Sequence, residues 1–185
     1  MAGPERILII KLSALGDVIQ TLPTLEALRQ RFPGAEISWL VEEAAAPLLP
    51  RQPALDQLLV CRRRSWLAAW QGKGDRRLAL KEIRQLWQRL RHPGFDLVLD
   101  LQGLLKSALW TLVARSPRKL GFAGSREFSS LALTEKLPPY DPEELAVRRY
   151  LRLAGYLGAA PTPVRFRLAV PRFAGSALAS RLADL

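Results

Sequence analysis

The chain has 185 residues, of which 49% are hydrophobic and 24% charged, a composition that excludes a disordered chain and suits one domain, or one domain with the beginning of a second. Its single cysteine, Cys61, excludes an internal disulfide and suggests a reducing compartment. The net charge of +11 favours a polyanionic partner, namely nucleic acid, anionic lipid headgroups or a phosphorylated glycolipid.

Short apolar runs alternate with helical patterns along the chain. Residues 6–12 are typical of a parallel strand buried on both faces, and a helical stretch follows to about Phe32, with Pro23 expected to kink or divide it. Further strands are predicted at residues 36–41, 58–61, 95–101 and 119–122, and further helices at residues 76–91, 104–114 and 143–157. This order predicts an α/β fold, a Rossmann-like parallel sheet with flanking helices.

Hydropathy and charge favour a soluble cytoplasmic protein. The apolar run 7–10 is too short for a signal peptide, and the window 97–114 contains Asp100, Gln102 and Lys106, which argues against a membrane span. The basic cluster at residues 62–64 and the basic stretch 76–91 are, on charge alone, best explained as solvated helix faces. Because no RNP, helix-turn-helix or zinc-finger pattern accompanies them, nucleic-acid binding is disfavoured.

Three loops follow predicted strands at the edge where parallel sheets bind ligands: residues 13–17, 42–43 and 100–103. The first, Ser-Ala-Leu-Gly-Asp, is neither a GxGxxG fingerprint nor a P-loop, so a dinucleotide or ATP site is disfavoured. Its Asp17 fits a helix N-cap. A carboxylate at this edge can also accept a proton from a substrate hydroxyl.

Four segments carry a family resemblance. They are residues 7–23 with the core Ser-Ala-Leu-Gly-Asp-Val and a following Thr-Leu-Pro, residues 39–43 ending in Val-Glu-Glu, the Asp-Leu-Gln-Gly-Leu-Leu-Lys-Ser segment 100–107, and Gly121-Phe122 with Ser125-Arg126-Glu127. In order and spacing they resemble the ADP-heptose:lipopolysaccharide heptosyltransferases, glycosyltransferase family 9. The resemblance covers most of residues 6–158, and residues 41–43 and 62–70 are most similar to heptosyltransferase I members.

The resemblance implies a GT-B architecture, in which two Rossmann-like domains face each other across a cleft. Residues 1–158 would form the amino-terminal, acceptor-binding domain, and residues 159–185 an interdomain linker and the start of a truncated donor domain. The acceptor would be Kdo-lipid A or a lipopolysaccharide core. ADP-heptose would bind only through the missing carboxyl-terminal domain, so the 185-residue chain alone is expected to be inactive.

The resemblance also implies roles for particular residues. Asp17 matches the family's catalytic base for an inverting transfer of heptose, and Ser13 would hydrogen-bond the acceptor or orient that carboxylate. The acceptor carries carboxylates and phosphates, which guanidinium groups bind bidentately. The candidates for that role are Arg62, Arg63, Arg64 and Arg126, with Lys106 either a further contact or a solvated helix residue.

Each of four polar residues at the same edge has two possible roles. Asp100 and Gln102 either stabilise the turn after their strand or contact substrate. Glu42 and Glu43 either cap the next helix or orient a sugar hydroxyl.

Two positions depart from the family pattern, and several expectations follow from what the sequence lacks. The His that usually precedes Ala-Val of the late helix is Leu145, and Arg148 replaces an acidic residue. The only histidine, His92, is expected at the surface, and no His/Cys cluster supports a metal site or a cofactor.

The expected partners are the glycolipid acceptor and an anionic membrane surface, with a location at the inner membrane as a peripheral protein. The alternative is a non-catalytic basic module that binds anionic glycolipid or nucleic acid.

Overall fold

The computed structural model describes residues 3–50, 52–124, 126–160, 164 and 166. Its strands are β1 (Arg6–Ile10), β2 (Glu36–Glu42), β3 (Gln57–Cys61), β4 (Leu97–Asp100), β5 (Arg118–Phe122) and β6 (Glu135–Leu137). Its α-helices are α1 (Leu15–Arg31), α2 (Arg63–Trp70), α3 (Arg76–Arg91), α4 (Leu105–Val113) and α5 (Ala146–Tyr156). Short 3₁₀ helices cover Ala46–Leu48 and Arg126–Ala132. The predicted linker and donor-domain start, 159–185, lie outside the described residues except for residues 159, 160, 164 and 166.

All six strands form one parallel sheet in the order β3-β2-β1-β4-β5-β6. From β1 the chain adds β2 and then β3 on one side of the sheet. After α3 it returns to the centre, where β4 pairs with the other side of β1, and β5 and β6 follow outward. The order therefore reverses between β1 and β4, and a crevice opens at the carboxyl ends of those two strands, where open α/β sheets bind ligands.

Strand β1 shows why the sheet is buried on both faces. Ile7 and Ile9 pack into the cluster that α1 and α5 cover, while Leu8 and Ile10 pack into the cluster that α2, α3 and α4 cover. All four side chains are fully buried. Burying each of them stabilises the fold by about 1.5–3 kcal/mol, so β1 is the centre of both halves of the core.

The predicted strands and helices are confirmed to within a few residues at their ends. Three details were wrong or missed. Helix α1 runs through Pro23 as one element, so the proline does not divide it. The helical spacing of Ile83, Leu86, Trp87 and Leu90 predicts one apolar face on α3, but Trp87 is 42% exposed. Helix α2 and strand β6 were not predicted.

Candidate active site

The two loops at the switch point are tied together by one side chain. The side-chain oxygen of Gln102, after β4, accepts hydrogen bonds from the backbone N–H groups of Leu12 (3.1 Å) and Ser13 (3.0 Å), after β1. These donors lie beyond the end of the β1 ladder and need a partner when partly buried. Gln102 therefore fixes the position of the loop that leads into α1.

Asp17 lies in the first turn of α1, as its third residue. The N-cap position belongs to Ala14, whose side chain forms no capping hydrogen bond, so the prediction that Asp17 is the N-cap was wrong. The Asp17 carboxylate is instead 37% exposed and lies 3.2 Å from the Lys11 ammonium group. A carboxylate in this turn also interacts favourably with the helix dipole. One side of the carboxylate therefore stays open to solvent.

Lys11 is the residue that positions Asp17. Its side chain is 2% exposed, and Nζ also donates to the backbone oxygen of Leu101, at 3.4 Å, and lies 4.9 Å from the ring centre of Tyr150. A buried ammonium group requires such partners. Sequence analysis missed this role, although a lysine next to an otherwise apolar strand was a usable signal.

A cavity of about 350 Å³ opens beside Asp17. It is lined by the loops after β1, β4 and β5 and by α5, which contributes Arg149 and Tyr150. The Arg149 guanidinium group lies 4.1 Å from the ring centre of Tyr140 and 5.3 Å from that of Tyr150. In the described part of the chain it has no carboxylate partner. The cavity therefore joins one open carboxylate to one unpaired cation, and sequence analysis missed Arg149.

Asp100 is a structural residue of the β4 loop. Its carboxylate accepts from the N–H groups of Gln102 (2.9 Å) and Gly103 (3.0 Å) and from the hydroxyls of Ser107 (2.9 Å) and Thr111 (3.3 Å). Burial raises the pKa of Asp100, and these hydrogen bonds oppose that increase. With its side chain surrounded by protein donors, Asp100 supports the turn-stabilising interpretation.

A second polar cluster links the β1 loop to α4 and α2. Lys106 donates to the Ser13 hydroxyl at 2.5 Å and to Glu42 at 3.0 Å, and Arg63 pairs with the same Glu42 oxygen at 3.2 Å. Glu42 is 7% exposed, so the two cations balance a nearly buried charge. The structure thus brings three of the predicted residues, Ser13, Lys106 and Arg63, together around Glu42. None of the three lines the cavity beside Asp17.

The other predicted residues lie in different surroundings. Arg62 pairs with Glu82 at 3.3 Å, Arg64 is exposed and has no ion pair within the described ranges, and the side chain of Arg126 is outside what the structure describes. Glu43 accepts from the N–H group of Ser65, in the first turn of α2, at 3.3 Å, which supports the capping interpretation. His92 lies at the opposite, amino edge of the sheet, near Arg6 and Glu36.

Glu127 is a further residue that sequence analysis did not assign. Its carboxylate accepts from the N–H group of Leu105, the first residue of α4, at 2.8 Å. Glu127 itself has φ 58° and ψ 34°, left-handed values that few non-glycine residues adopt. This contact gives the glutamate of the Ser-Arg-Glu element a role in fixing the start of α4.

Two other kinds of feature, a metal centre and a membrane-spanning helix, are absent from the described residues. No group of three or more His, Cys, Asp and Glu side chains there is arranged to hold a metal ion. No helix there has both the length and the apolar character needed to cross a membrane.

The fold and the site define a class. A parallel sheet with this strand order, and a carboxylate and cations at its switch point, is a Rossmann-like ligand-binding domain. The sequence profile of glycosyltransferase family 9 (heptosyltransferase) matches residues 83–172. Lipopolysaccharide heptosyltransferase 1 of Pseudomonas aeruginosa is 40% identical over 114 residues, which are 60% of this chain and 31% of that protein.

Solved structures agree with the sequence match. Escherichia coli heptosyltransferase WaaC with ADP-2-deoxy-2-fluoro heptose superposes with a TM-score of 0.74 at 31% identity, covering 87% of this chain and 51% of WaaC. E. coli ADP-heptose lipopolysaccharide heptosyltransferase II gives 0.67 at 26% identity, covering 96% and 50%. The chain is therefore similar to members of glycosyltransferase family 9, and its fold is that of the Rossmann-like amino-terminal domain of a GT-B glycosyltransferase. It spans about half the length of these solved relatives.

Proposed function

We propose that this chain forms the acceptor side of an inverting heptosyltransferase, which transfers heptose from ADP-heptose to the Kdo/heptose inner core of lipopolysaccharide. The observation that carries the proposal is the open Asp17 carboxylate, held by Lys11 at the switch point and facing a cavity that also contains Arg149. The names of the relatives indicate heptose as the transferred sugar and lipopolysaccharide as the acceptor.

The proposed step is a direct displacement. A hydroxyl oxygen of the acceptor forms a bond to the anomeric carbon of heptose while the bond from that carbon to the phosphate oxygen of ADP breaks. ADP leaves with the electron pair, the hydroxyl proton passes to Asp17, and the anomeric configuration inverts. One base is sufficient for this reaction, since no covalent sugar–enzyme intermediate forms.

The cations of the site have two different tasks in this proposal. Lys11, whose side chain is buried, orients the Asp17 carboxylate from the protein interior. Arg149 is free of a carboxylate partner in the described part of the chain and faces the cavity, so it binds a carboxylate or phosphate of the acceptor. Arg62 and Arg63 are already paired with glutamates, and acceptor binding by either requires exchange of that partner. Arg64 and Arg126 remain candidate acceptor contacts.

The acceptor is a glycolipid, and we therefore propose that the chain works at the cytoplasmic surface of the inner membrane as a peripheral protein. The donor would bind in the second Rossmann-like domain of the GT-B fold, across the cleft from the Asp17 cavity.

Ligand binding tests the proposal and separates it from the alternative of a basic module without an active site. Titration calorimetry with dispersed Kdo-lipid A and with ADP-heptose should show binding of the first and none of the second. Arg149→Ala should weaken Kdo-lipid A binding about tenfold or more, the loss expected for a charged hydrogen bond, while Arg148→Ala, which removes a neighbouring exposed charge, should change it little. Equal losses for the two variants would favour the non-catalytic basic module.

A further inference from the structure

The outer face of helix α3 carries an alternating pattern of basic and large apolar side chains. Residues spaced three and four apart share one side of a helix. On α3 one such row consists of Arg77, Leu80, Arg84, Trp87 and Arg91. We call this row the α3 outer face. Leu80 is 52% exposed and Trp87 42% exposed, and across its 16 residues α3 is about 24 Å long.

The charge around this face is strongly one-sided. Residues 62–91 contain ten of the 28 Lys and Arg residues of the chain but only two of its 17 acidic residues, which leaves a net charge of +8 out of the total of +11. The two acidic residues have other partners. Asp75 caps α3 by accepting from the N–H groups of Arg77 and Leu78, and Glu82 accepts from Arg62 and from the Trp66 indole.

The arginines of the outer face are consequently not neutralised. Within the part of the chain that the structure describes, Arg77, Arg84 and Arg91 form no ion pair, and the Arg91 guanidinium group lies 4.9 Å from the ring centre of Trp87. A solvated helix face usually mixes both signs of charge with polar side chains. Here the row alternates cations with an exposed leucine and an exposed tryptophan.

The neighbouring helix α2 extends the same character. Leu67 and Trp70, three residues apart, are 47% and 48% exposed, and the Arg76 guanidinium group lies 5.9 Å from the ring centre of Trp70. Helices α2 and α3 pack against each other through the hydrogen bond from Trp66 to Glu82, at 2.8 Å. Exposed aromatic and leucine side chains therefore occur with arginines on both helices.

We propose that the α3 outer face lies flat on a lipid bilayer that contains anionic headgroups. Helices that bind membrane interfaces combine Trp and Leu, which enter the boundary between headgroups and acyl chains, with Arg and Lys, which contact lipid phosphates. This inference rests on the proposed function, which places the chain at a membrane, and it identifies the surface of the protein that contacts that membrane. Its ligand is the bilayer itself, and none of the five residues of the α3 outer face lines the sugar cavity beside Asp17.

Vesicle sedimentation with the full chain tests the inference, using vesicles without any lipopolysaccharide. The chain should bind vesicles of phosphatidylethanolamine with 30 mol% phosphatidylglycerol (about that fraction, to give a negative surface) at least about tenfold more tightly than vesicles of phosphatidylcholine. The triple variant R77Q/R84Q/R91Q and the double variant L80S/W87S should each lower this affinity about tenfold or more.

A matched variant removes three positive charges elsewhere. R31Q/K136Q/R148Q, at exposed positions of α1, β6 and α5, lowers the net charge by the same amount and should change vesicle affinity only about threefold or less. Circular dichroism spectra and urea unfolding curves verify that every variant is folded. Equal losses for the two triple variants, or unchanged binding by L80S/W87S, would overturn the inference. A generic RNA duplex that binds more tightly than the anionic vesicles, through the same arginines, would also overturn it.

The outcome is separable from that of the proposed function. Asp17→Asn and Arg149→Ala lie in the sugar cavity and should bind vesicles like the unmodified chain. Conversely, Arg149→Ala should still weaken binding of dispersed Kdo-lipid A about tenfold when it is added to R77Q/R84Q/R91Q, which has lost vesicle binding. Vesicle binding that depends on Arg149 would contradict the assignment to α3.

Discussion

The ammonium nitrogen of Lys11 lies 3.2 Å from a carboxylate oxygen of Asp17, and the two side chains differ in exposure, at 2% for the lysine and 37% for the aspartate. The lysine extends from the end of β1, is covered by the Tyr150 ring and also contacts the Leu101 backbone oxygen. The aspartate lies in the first turn of α1 and faces the cavity. A fixed, buried cation therefore orients an open carboxylate.

Lys11→Met should impair catalysis more than folding. Methionine retains the buried, unbranched stem and removes only the ammonium group, so Asp17 loses the contact that orients it. Heptose transfer can be measured in a transfer fusion, which we define as this chain joined to the part of E. coli WaaC that it does not match. We expect kcat to fall about tenfold or more through loss of positioning, with KM for the acceptor nearly unchanged. A change confined to KM would mean that Lys11 binds the acceptor instead.

Gln102 should contribute to stability through the two loop N–H groups from which it accepts hydrogen bonds. Gln102→Ala leaves the N–H groups of Leu12 and Ser13 without their side-chain acceptor, and the free energy of unfolding should fall by about 1–3 kcal/mol. Gln102→Glu keeps an oxygen at the same place and should lose less. Urea unfolding measures both variants, and equal losses would show that the shape of the glutamine matters rather than its oxygen.

The sequence predicted most of the elements and the parallel, Rossmann-like sheet that they form, but it did not predict the order of the strands in that sheet. Runs such as residues 6–12 and 95–101 are buried on both faces, so their composition identifies strands directly. Helix α2 was missed because it has only eight residues and buries just Trp66 and Ala69, too few for a periodic signal. Strand order depends on pairings between distant residues, such as Ile7 with Leu97, which no local pattern encodes.

The site was predicted only in part, because some of its residues come together only through contacts between distant parts of the chain. Asp17 and Ser13 were found because they follow a recognisable strand within a few residues. Arg149 was missed because its access to the cavity depends on the packing of α5 against α1, a tertiary contact. The pairing of Lys106 and Arg63 with Glu42 likewise required three distant segments to be placed together.

Asp100 should make the stability of the chain depend on pH in a defined direction. Burial raises its pKa in the folded state above the value of about 3.9 found in unfolded chains, so the folded state binds the proton more tightly. Its contribution to stability is present below the unfolded value and is lost as pH rises through the folded value. The free energy of unfolding of the unmodified chain, minus that of Asp100→Asn, should therefore fall as pH rises above about 4. A difference that rises over this range would contradict the effect of burial.

Cys61 should be unreactive in the folded chain. Its thiol is buried, and that burial raises its pKa to about 11, so very little thiolate, the reactive form, exists at neutral pH. Labelling with dithionitrobenzoate at about pH 7.5 should be about 100-fold or more slower in buffer than in guanidinium chloride. Cys61→Ser, which should show no labelling in either solvent, is the control. Rapid labelling of the folded chain would show that the C-terminal end of β3 opens readily.

The most direct test of Asp17 as the catalytic base is Asp17→Asn in the transfer fusion, with transfer rate and acceptor binding measured on the same preparation. Asparagine keeps the size of the side chain and one oxygen for Lys11, but it cannot take up the acceptor proton. We predict that kcat falls about 100-fold or more, the typical contribution of a general base, while the Kd for Kdo-lipid A stays within about threefold of its original value, because the change is not in the acceptor's anion contacts. A variant that transfers heptose at nearly the original rate would contradict the assignment of Asp17 as the catalytic base.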